Sequence, residues 1–310
     1  MNYGFKKFFN PVNFHGNSKK SEFFEGWYYK ITSDDYQIAV IPGVSMAENN
    51  PQCFIQILDG KNNTSEYYTF PKEIFEYSKN SFEIKIGNCI FRENYMKLDL
   101  PEYHSEFNFS NIQNIPRNIF SPGVMGPYSY IPNMECNHGI IAINGKANGF
   151  INDKKIKSAN FYMEKDWGKS FPSAWIWMQS NNFEYLNTSF TLSVANVPFR
   201  GKSFTGFIGY FLHKNKFYKF TSYNGSKIDF INYKNDFLFI KIFRKNIFME
   251  IKALSKDGNI LFSPKNGNMT GKINESLNSE IKVKIFDKNN ILFSGEGKYS
   301  GLELVNVDLL

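Results

Sequence analysis

The feature that most constrains the fold is an alternation of apolar and polar residues with a period of two. Residues 81–87 alternate in this way, Gly87-Asn88 predicts a two-residue turn, and Cys89–Arg92 continues as the returning strand. The same pattern occurs at 236–254 and at 281–296, each time with a short turn between two alternating segments. Because successive side chains of a strand point to opposite faces, this period predicts antiparallel strands and not helices.

Turn-forming residues recur along the chain at intervals that suit short strands. The 310 residues include 22 glycines and 12 prolines, and long helix-period segments with caps are hard to find. This pattern is typical of sandwiches and antiparallel barrels. The pattern predicts more than a dozen strands, which is more than one small barrel contains. We therefore predict an all-β fold of two consecutive antiparallel β-barrels, 1–170 and 171–310, with the boundary near 168–174.

Composition and charge exclude several classes of protein. Aromatic residues make up 18% of the chain and charged residues 21%, which fits neither a disordered chain nor a coiled coil. No apolar run is long enough for a membrane helix. The net charge of +7 comes from scattered lysines with few arginines, so we predict no nucleic-acid binding. A weak association with an anionic membrane surface remains an alternative.

The cysteines and the N-terminal residues predict a cytoplasmic protein. Cys53, Cys89 and Cys136 are odd in number and far apart, which favours buried thiols in a reducing compartment over a disulfide scaffold. The lysines near the N-terminus precede no apolar stretch of the kind a signal peptide has. An outer-membrane barrel also alternates, but it would require export, so that interpretation is not favoured.

Three segments combine acidic side chains with aromatic ones. In the first, Phe23–Lys30, an extended strand would place Glu25, Trp27 and Tyr29 on one face. On the inner face of a barrel the carboxylate would be desolvated and its pKa raised, as general-acid chemistry requires. The alternative is that Glu25 pairs with a lysine or arginine, or accepts backbone NH bonds near Gly26.

The second segment, Gly126–Gly139, contains Glu135 and His138, one of only four histidines. A metal site would need more histidine, cysteine or carboxylate ligands at close spacing, so we predict no metal. His138 has two interpretations that the residues leave open. It is either an acid–base group or a histidine whose hydrogen bonds are satisfied in the core.

The third segment, Phe161–Ser180, alternates Glu164 and Asp166 onto one face and places Trp167 on the other. On the following strand three further side chains share a face: Trp175, Trp177 and Gln179. Tryptophan rings beside acids can stabilise a cation, and they can equally fill a barrel core. On the residues alone, we favour the interpretation that these rings fill a barrel core.

These segments resemble the tocopherol cyclase family. The matching motifs occur in the same order and with similar spacing: Phe24–Lys30, Gly126-Pro127, Met134–Gly139, Glu164–Gly168, Phe171-Pro172 and Trp175–Asn181. They cover about residues 22–181, and the remaining strand pattern is consistent with the second half of the family. The resemblance implies a calycin-like fold of two lipocalin-like barrels.

The resemblance also implies a reaction. The family closes a chromanol ring from a prenylated benzoquinol without a cofactor, by protonating an alkene whose cation the phenol oxygen captures. Such a site needs a neutral acid, ring faces and a dry cavity. We therefore expect Asp166 or Glu25 as proton donor, with Glu164 and His138 as orienting or second acid–base groups. The expected substrate-binding residues are Trp27, Tyr29, Glu135, Trp167, Trp175, Trp177 and Gln179.

The expected partner is a hydrophobic small molecule, a prenylated quinol or another isoprenoid, and the expected enzyme class is an isomerase. One alternative is a lipocalin-like lipid-binding protein that has a cavity and no chemistry. Another is an alkene hydratase of the carotenoid type, in which water replaces the phenol. Glu25 and Asp166 in a closed apolar cavity would favour an enzyme, whereas ion pairs at a barrel rim would favour a binding protein.

Overall fold

The computed structural model describes residues 10–16, 21–118, 121–131, 134–199 and 201–310. These residues form 21 β-strands and three short 3-10 helices, at Lys72–Ile74, Gly126–Tyr130 and Val307–Leu309. Within the described ranges, none of the helices has the length and apolar character that crossing a membrane requires. The predicted all-β fold of two consecutive barrels is confirmed.

The first eleven strands form one antiparallel sheet that curls into a nearly closed barrel. They are β1 (Phe23–Thr32), β2 (Gln37–Met46), β3 (Gln52–Asp59), β4 (Thr64–Pro71), β5 (Phe75–Tyr77), β6 (Glu83–Ile86), β7 (Cys89–Arg92), β8 (Tyr95–Asp99), β9 (His104–Gln113), β10 (Cys136–Ile151) and β11 (Lys154–Gly168). Their order in the sheet is β4-β3-β2-β1-β11-β10-β9-β8-β7-β6-β5. The first and last strands are therefore neighbours, and β11 lies between β1 and β10.

The remaining ten strands form the second antiparallel sheet. They are β12 (Trp175–Ser180), β13 (Thr188–Phe199), β14 (Lys202–His213), β15 (Lys216–Thr221), β16 (Lys227–Lys234), β17 (Phe237–Arg244), β18 (Ile247–Leu254), β19 (Asn259–Lys265), β20 (Asn268–Asp287) and β21 (Asn290–Val305). Their order is β15-β14-β13-β12-β21-β20-β18-β17-β16, and β19 pairs with β20. The strand β12 thus pairs with both β13 and β21, which fixes the positions of its tryptophans.

Three apolar clusters stabilise the fold, one within each sheet and one between the sheets. The first barrel encloses Trp27 and Tyr29, both fully buried, whereas Tyr28 belongs to the cluster between the sheets. The cluster inside the second sheet includes Ile176 and Met178 of β12. The alternate residues Trp175 and Trp177 lie between the sheets. Because both faces of β1 and β12 are buried, the two barrels pack against each other along these strands.

The strand register brings the polar residues of three strands together. Asp166 on β11 lies opposite Gly26 of β1 on one side and opposite His138 of β10 on the other. Tyr28 lies opposite Glu164 in the same way. Directly opposite residues of antiparallel strands have side chains about 5 Å apart on the same face. The register therefore places these groups on the outer face of the first barrel, which faces the second sheet.

Candidate functional site

A cavity of ≈ 180 Å³ lies between the two sheets and is walled mainly by apolar side chains. The first sheet contributes Phe24, Tyr28 and Phe54, and the second contributes Trp175, Trp177 and Leu261. Met125 and Tyr128, from the segment before β10, also line it. The lining includes one imidazole and four carboxyl groups that can act as acids or bases: His138, Glu135, Glu164, Asp166 and Glu303. The cavity is therefore an apolar pocket that contains acid–base groups and is formed by both halves of the chain.

His138 connects two carboxylates in this cavity. Its Nδ1 lies 2.9 Å from Oδ1 of Asp166, and its Nε2 lies 3.8 Å from Oε2 of Glu164. Burial opposes a charge on the imidazole, but the carboxylates of Asp166 and Glu164 raise its pKa to about 9. His138 is thus an imidazolium at neutral pH and donates its Nδ1 proton to Asp166. Its buried Nε2 has no hydrogen-bond partner among the residues described.

Glu164 is the carboxyl group at the centre of the site. Its side chain is buried, and its Oε2 accepts hydrogen bonds from the Tyr162 hydroxyl at 2.5 Å and from Nε1 of Trp177 at 3.1 Å. Burial raises the pKa of Glu164 to about 7, and Asp166 adds to the rise while His138 opposes it. A substantial fraction of Glu164 is therefore the neutral acid at neutral pH. The alternation of β11 predicts its shared face with Asp166, and the register confirms that face.

Glu303 on β21 is a second buried acid that the motif analysis missed. Its Oε2 accepts a hydrogen bond from Nε1 of Trp175 at 2.6 Å. Burial, and then the nearby carboxyl of Glu275, raise the pKa of Glu303 well above its ordinary value. Glu275 is itself buried, and the Tyr28 hydroxyl donates to it. One sequence feature could have identified Glu303: it is a single acidic residue between Leu302 and Leu304, in an otherwise apolar strand end.

Glu25 lies inside the first barrel, on the face of β1 that points away from the cavity. Its carboxylate forms an ion pair with Lys165, and it accepts backbone NH bonds from His15 at 2.9 Å and Gly16 at 3.0 Å. Burial alone would raise the pKa of Glu25, but Lys165 and His15 lower it below its ordinary value. The expectation of a raised pKa is therefore wrong, and the ion-pair alternative describes the structure. Glu25 does not line the cavity.

Three of the seven expected substrate-binding residues line the cavity: Glu135, Trp175 and Trp177. The other four lie elsewhere. Trp27 and Tyr29 fill the first barrel, where Trp27 Nε1 donates to the Val12 carbonyl at 2.7 Å and the Tyr29 hydroxyl to the Arg92 carbonyl at 3.0 Å. The face of β1 that carries Trp27 and Tyr29 packs into the core of the first barrel, whereas the opposite face, with Tyr28, packs into the cluster between the sheets. Trp27 and Tyr29 are therefore buried as core residues.

Trp167 and Gln179 are also placed outside the cavity lining. The Trp167 ring stacks on the ring of His15 with centroids 4.5 Å apart. Gln179 is buried between the sheets, where its Oε1 accepts a hydrogen bond from Nζ of Lys30 at 2.9 Å. Burial lowers the pKa of Lys30 to about 7. Trp167 thus helps to hold residues 10–16 on the first barrel, and Gln179 satisfies a buried lysine.

His138, Glu164 and Asp166 also have the composition of a metal site. Their candidate ligand atoms all lie within 4.8 Å of one another. The prediction of no metal considered spacing along one segment and did not anticipate this cluster, which two neighbouring strands assemble. However, Nδ1 of His138 is already bonded to Asp166, and Oε2 of Glu164 accepts two hydrogen bonds. These internal bonds favour interpreting the cluster as an acid–base relay.

Comparison with solved structures gives the same architecture at very low sequence identity. A protein assigned as AttH from Nitrosomonas europaea has a TM-score of 0.53 and 10% identity, covering 94% of this chain and 95% of that one. CghA has a TM-score of 0.58 and 7% identity, covering 92% and 89%. Kievitone hydratase from Nectria haematococca has a TM-score of 0.49 and 11% identity, covering 96% and 94%. At these identities the likeness to the first two concerns the fold alone.

Sequence comparison places the chain in a family. No curated protein sequence matches it significantly. A sequence profile described as tocopherol cyclase-like matches residues 106–305, which is more than half of the chain and spans both sheets. That match includes His138, Glu164, Asp166 and Glu303, so the acid–base groups of the cavity lie within the family region. The chain therefore belongs to the tocopherol cyclase-like family.

Proposed function

We propose that this protein is an acid–base enzyme that protonates a carbon–carbon double bond of a prenylated quinol or related isoprenoid and closes a ring on the resulting cation. Membership of the family supports a cyclase- or hydratase-like function in general. The observation that carries the specific proposal is the buried Glu164 carboxyl, whose pKa is raised to about 7, beside His138 in an apolar cavity.

Glu164 is the proton donor in this proposal. A substantial fraction of Glu164 is in the neutral form at neutral pH because the cavity disfavours its charge. Its Oε2 accepts hydrogen bonds from Tyr162 and Trp177, which fix the orientation of the carboxyl group, and Oε1 takes part in neither of those bonds. Transfer of the carboxyl proton to the less substituted alkene carbon leaves a tertiary cation and a glutamate carboxylate.

His138 balances the protons in the second half of the reaction. The imidazolium Nε2 proton restores the Glu164 acid, since Nε2 lies 3.8 Å from Oε2 of Glu164 and a small movement brings these two atoms into hydrogen-bond distance. The neutral imidazole then accepts the proton that the phenol oxygen releases when it bonds to the cation. Asp166 keeps Nδ1 protonated, so that Nε2 remains the exchanging atom. The net change is isomerisation, with no proton gained or lost.

Ring faces support the cationic intermediate. Trp175 and Trp177 line the cavity, and their Nε1 groups are bonded to Glu303 and Glu164, which fixes the orientation of both indoles. An aromatic face attracts a cation, and the attraction is stronger where water is excluded. The apolar walls also delay capture of the cation by water, which favours cyclisation over hydration.

The experiment is incubation of the purified protein with prenylated quinols and polyenes in deuterated water, followed by liquid chromatography and mass analysis. Cyclisation changes the retention time and adds one carbon-bound deuterium, whereas hydration adds the elements of water. Recovery of every compound unchanged, together with retained binding, would favour the lipid-binding alternative and refute an enzyme. Products from the wild type in which no carbon-bound deuterium is found would refute alkene protonation.

The donor is tested with Glu164→Gln, which we expect to lower turnover by about 10²–10⁴-fold, the usual contribution of a general acid. The matched control is Glu184→Gln, because Glu184 is exposed and lies outside the cavity. Full turnover in Glu164→Gln and none in Asp166→Asn would transfer the donor role to Asp166.

A further inference from the structure

The net positive charge of this protein comes from one half of the sequence. Residues 1–170 contain 18 Lys+Arg and 18 Asp+Glu, whereas residues 171–310 contain 18 and 11. The whole net charge of +7 therefore belongs to the half that forms the second sheet. Such an asymmetry within one chain indicates an anionic partner for that half.

One end of the second sheet is defined by the strand register. We call it the distal end, formed by 181–187, 213–216, 244–247 and 287–292. Pairing of Thr188 with His213, and of Ile247 with Asp287, brings these turns to the same end. The ring of Tyr185 lies 5.6 Å from both His213 and Phe293, which joins the two sides. Cavity residues such as Trp175 lie at the opposite end of β12.

The distal end exposes large apolar side chains. Leu186 is 83% exposed, Ile291 61%, Tyr185 47% and Leu292 37%. Single exposed apolar residues are common, but a group at one end of a barrel marks an interaction surface. No such group is needed to fold the second sheet, whose core is formed by other residues.

The turns of the distal end also contain five exposed basic side chains: Lys214, Lys216, Arg244, Lys245 and Lys288. Two acidic residues, Glu184 and Asp287, lie at the same end. Within the described ranges, none of the five basic groups lies within ion-pair distance of a carboxylate. Nζ of Lys216 lies 4.8 Å from the centroid of the Tyr218 ring, and no carboxylate of the described residues neutralises any of the five charges, so they can attract an external anion.

We propose that the distal end docks on an anionic lipid surface. Apolar side chains that enter the headgroup region, together with basic side chains at the same end, are the combination that peripheral membrane binding uses. Nucleic acid would use the lysines but gains nothing from exposed Leu186 and Ile291. This proposal does not depend on the proposed reaction. Because the cavity lies at the other end of the sheet, docking leaves it accessible.

The test is co-sedimentation of the full chain with phosphatidylcholine vesicles, with or without phosphatidylserine. We expect binding to the anionic vesicles, weakened by salt because the Debye length shortens. Leu186→Asp with Ile291→Asp, and separately Lys214→Glu with Lys245→Glu and Lys288→Glu, should each reduce binding at least tenfold. The control is Lys154→Glu, Lys155→Glu and Lys157→Glu, which makes the same charge change at exposed sites of the first sheet.

Retained binding in the control triple variant, with loss in both distal-end variants, supports the proposal. Equal losses in the control and distal-end triples would overturn it, since binding would then follow net charge alone. Absence of vesicle binding by the wild type would also overturn it. Dimerisation that Leu186→Asp abolishes, or binding to duplex DNA that the distal-end triple abolishes, in each case without vesicle binding, would assign the surface to another partner.

Discussion

Replacing Glu164 with glutamine is predicted to stabilise the protein at alkaline pH while it removes activity. The folded protein raises the pKa of Glu164 from 4.5 to about 7. At 1.36 kcal/mol for each pKa unit, ionising this buried carboxyl costs about 3 kcal/mol of folding free energy. Glutamine has a similar shape, keeps an oxygen acceptor for Tyr162 and Trp177, and cannot ionise.

The sign of the effect depends on pH. Below pH 4.5 Glu164 is protonated in the folded and the unfolded chain, so ionisation contributes nothing. As the pH rises from 4.5 to about 7, the unfolded chain releases the proton that the folded protein retains, and the stability of the wild type falls. Above pH 7 the full cost is present. Glu164→Gln should therefore be more stable than the wild type by up to about 3 kcal/mol at pH 8 and nearly equal to it at pH 4.5.

The assay is urea unfolding at both pH values, followed by tryptophan fluorescence. All four tryptophans lie between Trp27 and Trp177, so the signal reports the first barrel and its interface with the second sheet. Glu184→Gln is the control, since an exposed surface substitution changes stability by less than about 0.5 kcal/mol. If Glu164→Gln lowers the stability at pH 8, or changes it equally at both pH values, the assignment of a neutral, desolvated Glu164 is refuted.

Three further predictions concern activity and packing. Turnover should fall as the pH rises through about 7, when Glu164 loses its proton, and a flat pH–rate profile from pH 6 to 9 would contradict this. Glu25→Ala should lower the free energy of unfolding in urea by about 3–5 kcal/mol, because it leaves Lys165 buried without its carboxylate. Adding Lys165→Met should restore part of that free energy. If the double variant is no more stable than Glu25→Ala, the ion-pair explanation is contradicted. Gly168→Ala should lower the melting temperature measured by calorimetry. Position 168 has a φ of +154°, and a Cβ there would lie 2.2 Å from the carbonyl oxygen of Glu135. An unchanged melting temperature would contradict this close approach.

Local pattern was sufficient to predict three of the hairpins. The alternation at 81–92 corresponds to β6 and β7, with Ile86 paired to Cys89 across the turn. The predicted hairpins at 236–254 and 281–296 correspond to β17–β18 and β20–β21. These pairs need only neighbouring residues, because the period of two and a turn signal together fix both the strands and their register.

The choice of face could not be predicted from the sequence. Alternation correctly groups Glu25, Trp27 and Tyr29 on one side of β1, but it does not say which side faces the cavity. In a strand that is buried on both faces, the side chains of both faces are apolar, so the sequence does not distinguish the face that lies toward the cavity from the face that lies toward the barrel core. The β1 residues that line the cavity lie on the other side: Phe24, Gly26 and Tyr28.

Site residues that lie far apart in the sequence could not be grouped from local motifs. Glu303 lies more than a hundred positions after Trp175, and the two meet only because β21 pairs with β12. His138 and Asp166 meet through the pairing of β10 with β11. Such contacts depend on the order of strands in the sheet. That order is a property of the whole fold, and no alternation within a single segment specifies it.

The position of the cavity between two separate cores makes its occupant part of the connection between the barrels. Each barrel has its own apolar core, whereas the cavity walls come from both. A molecule that binds there requires the two halves to remain docked, so its binding free energy opposes their separation. By reciprocity, any change that loosens the docking weakens binding by the same factor without altering a residue of the cavity. Affinity can therefore be tuned from the barrel–barrel contacts, and a bound ligand should raise the melting temperature of both halves together.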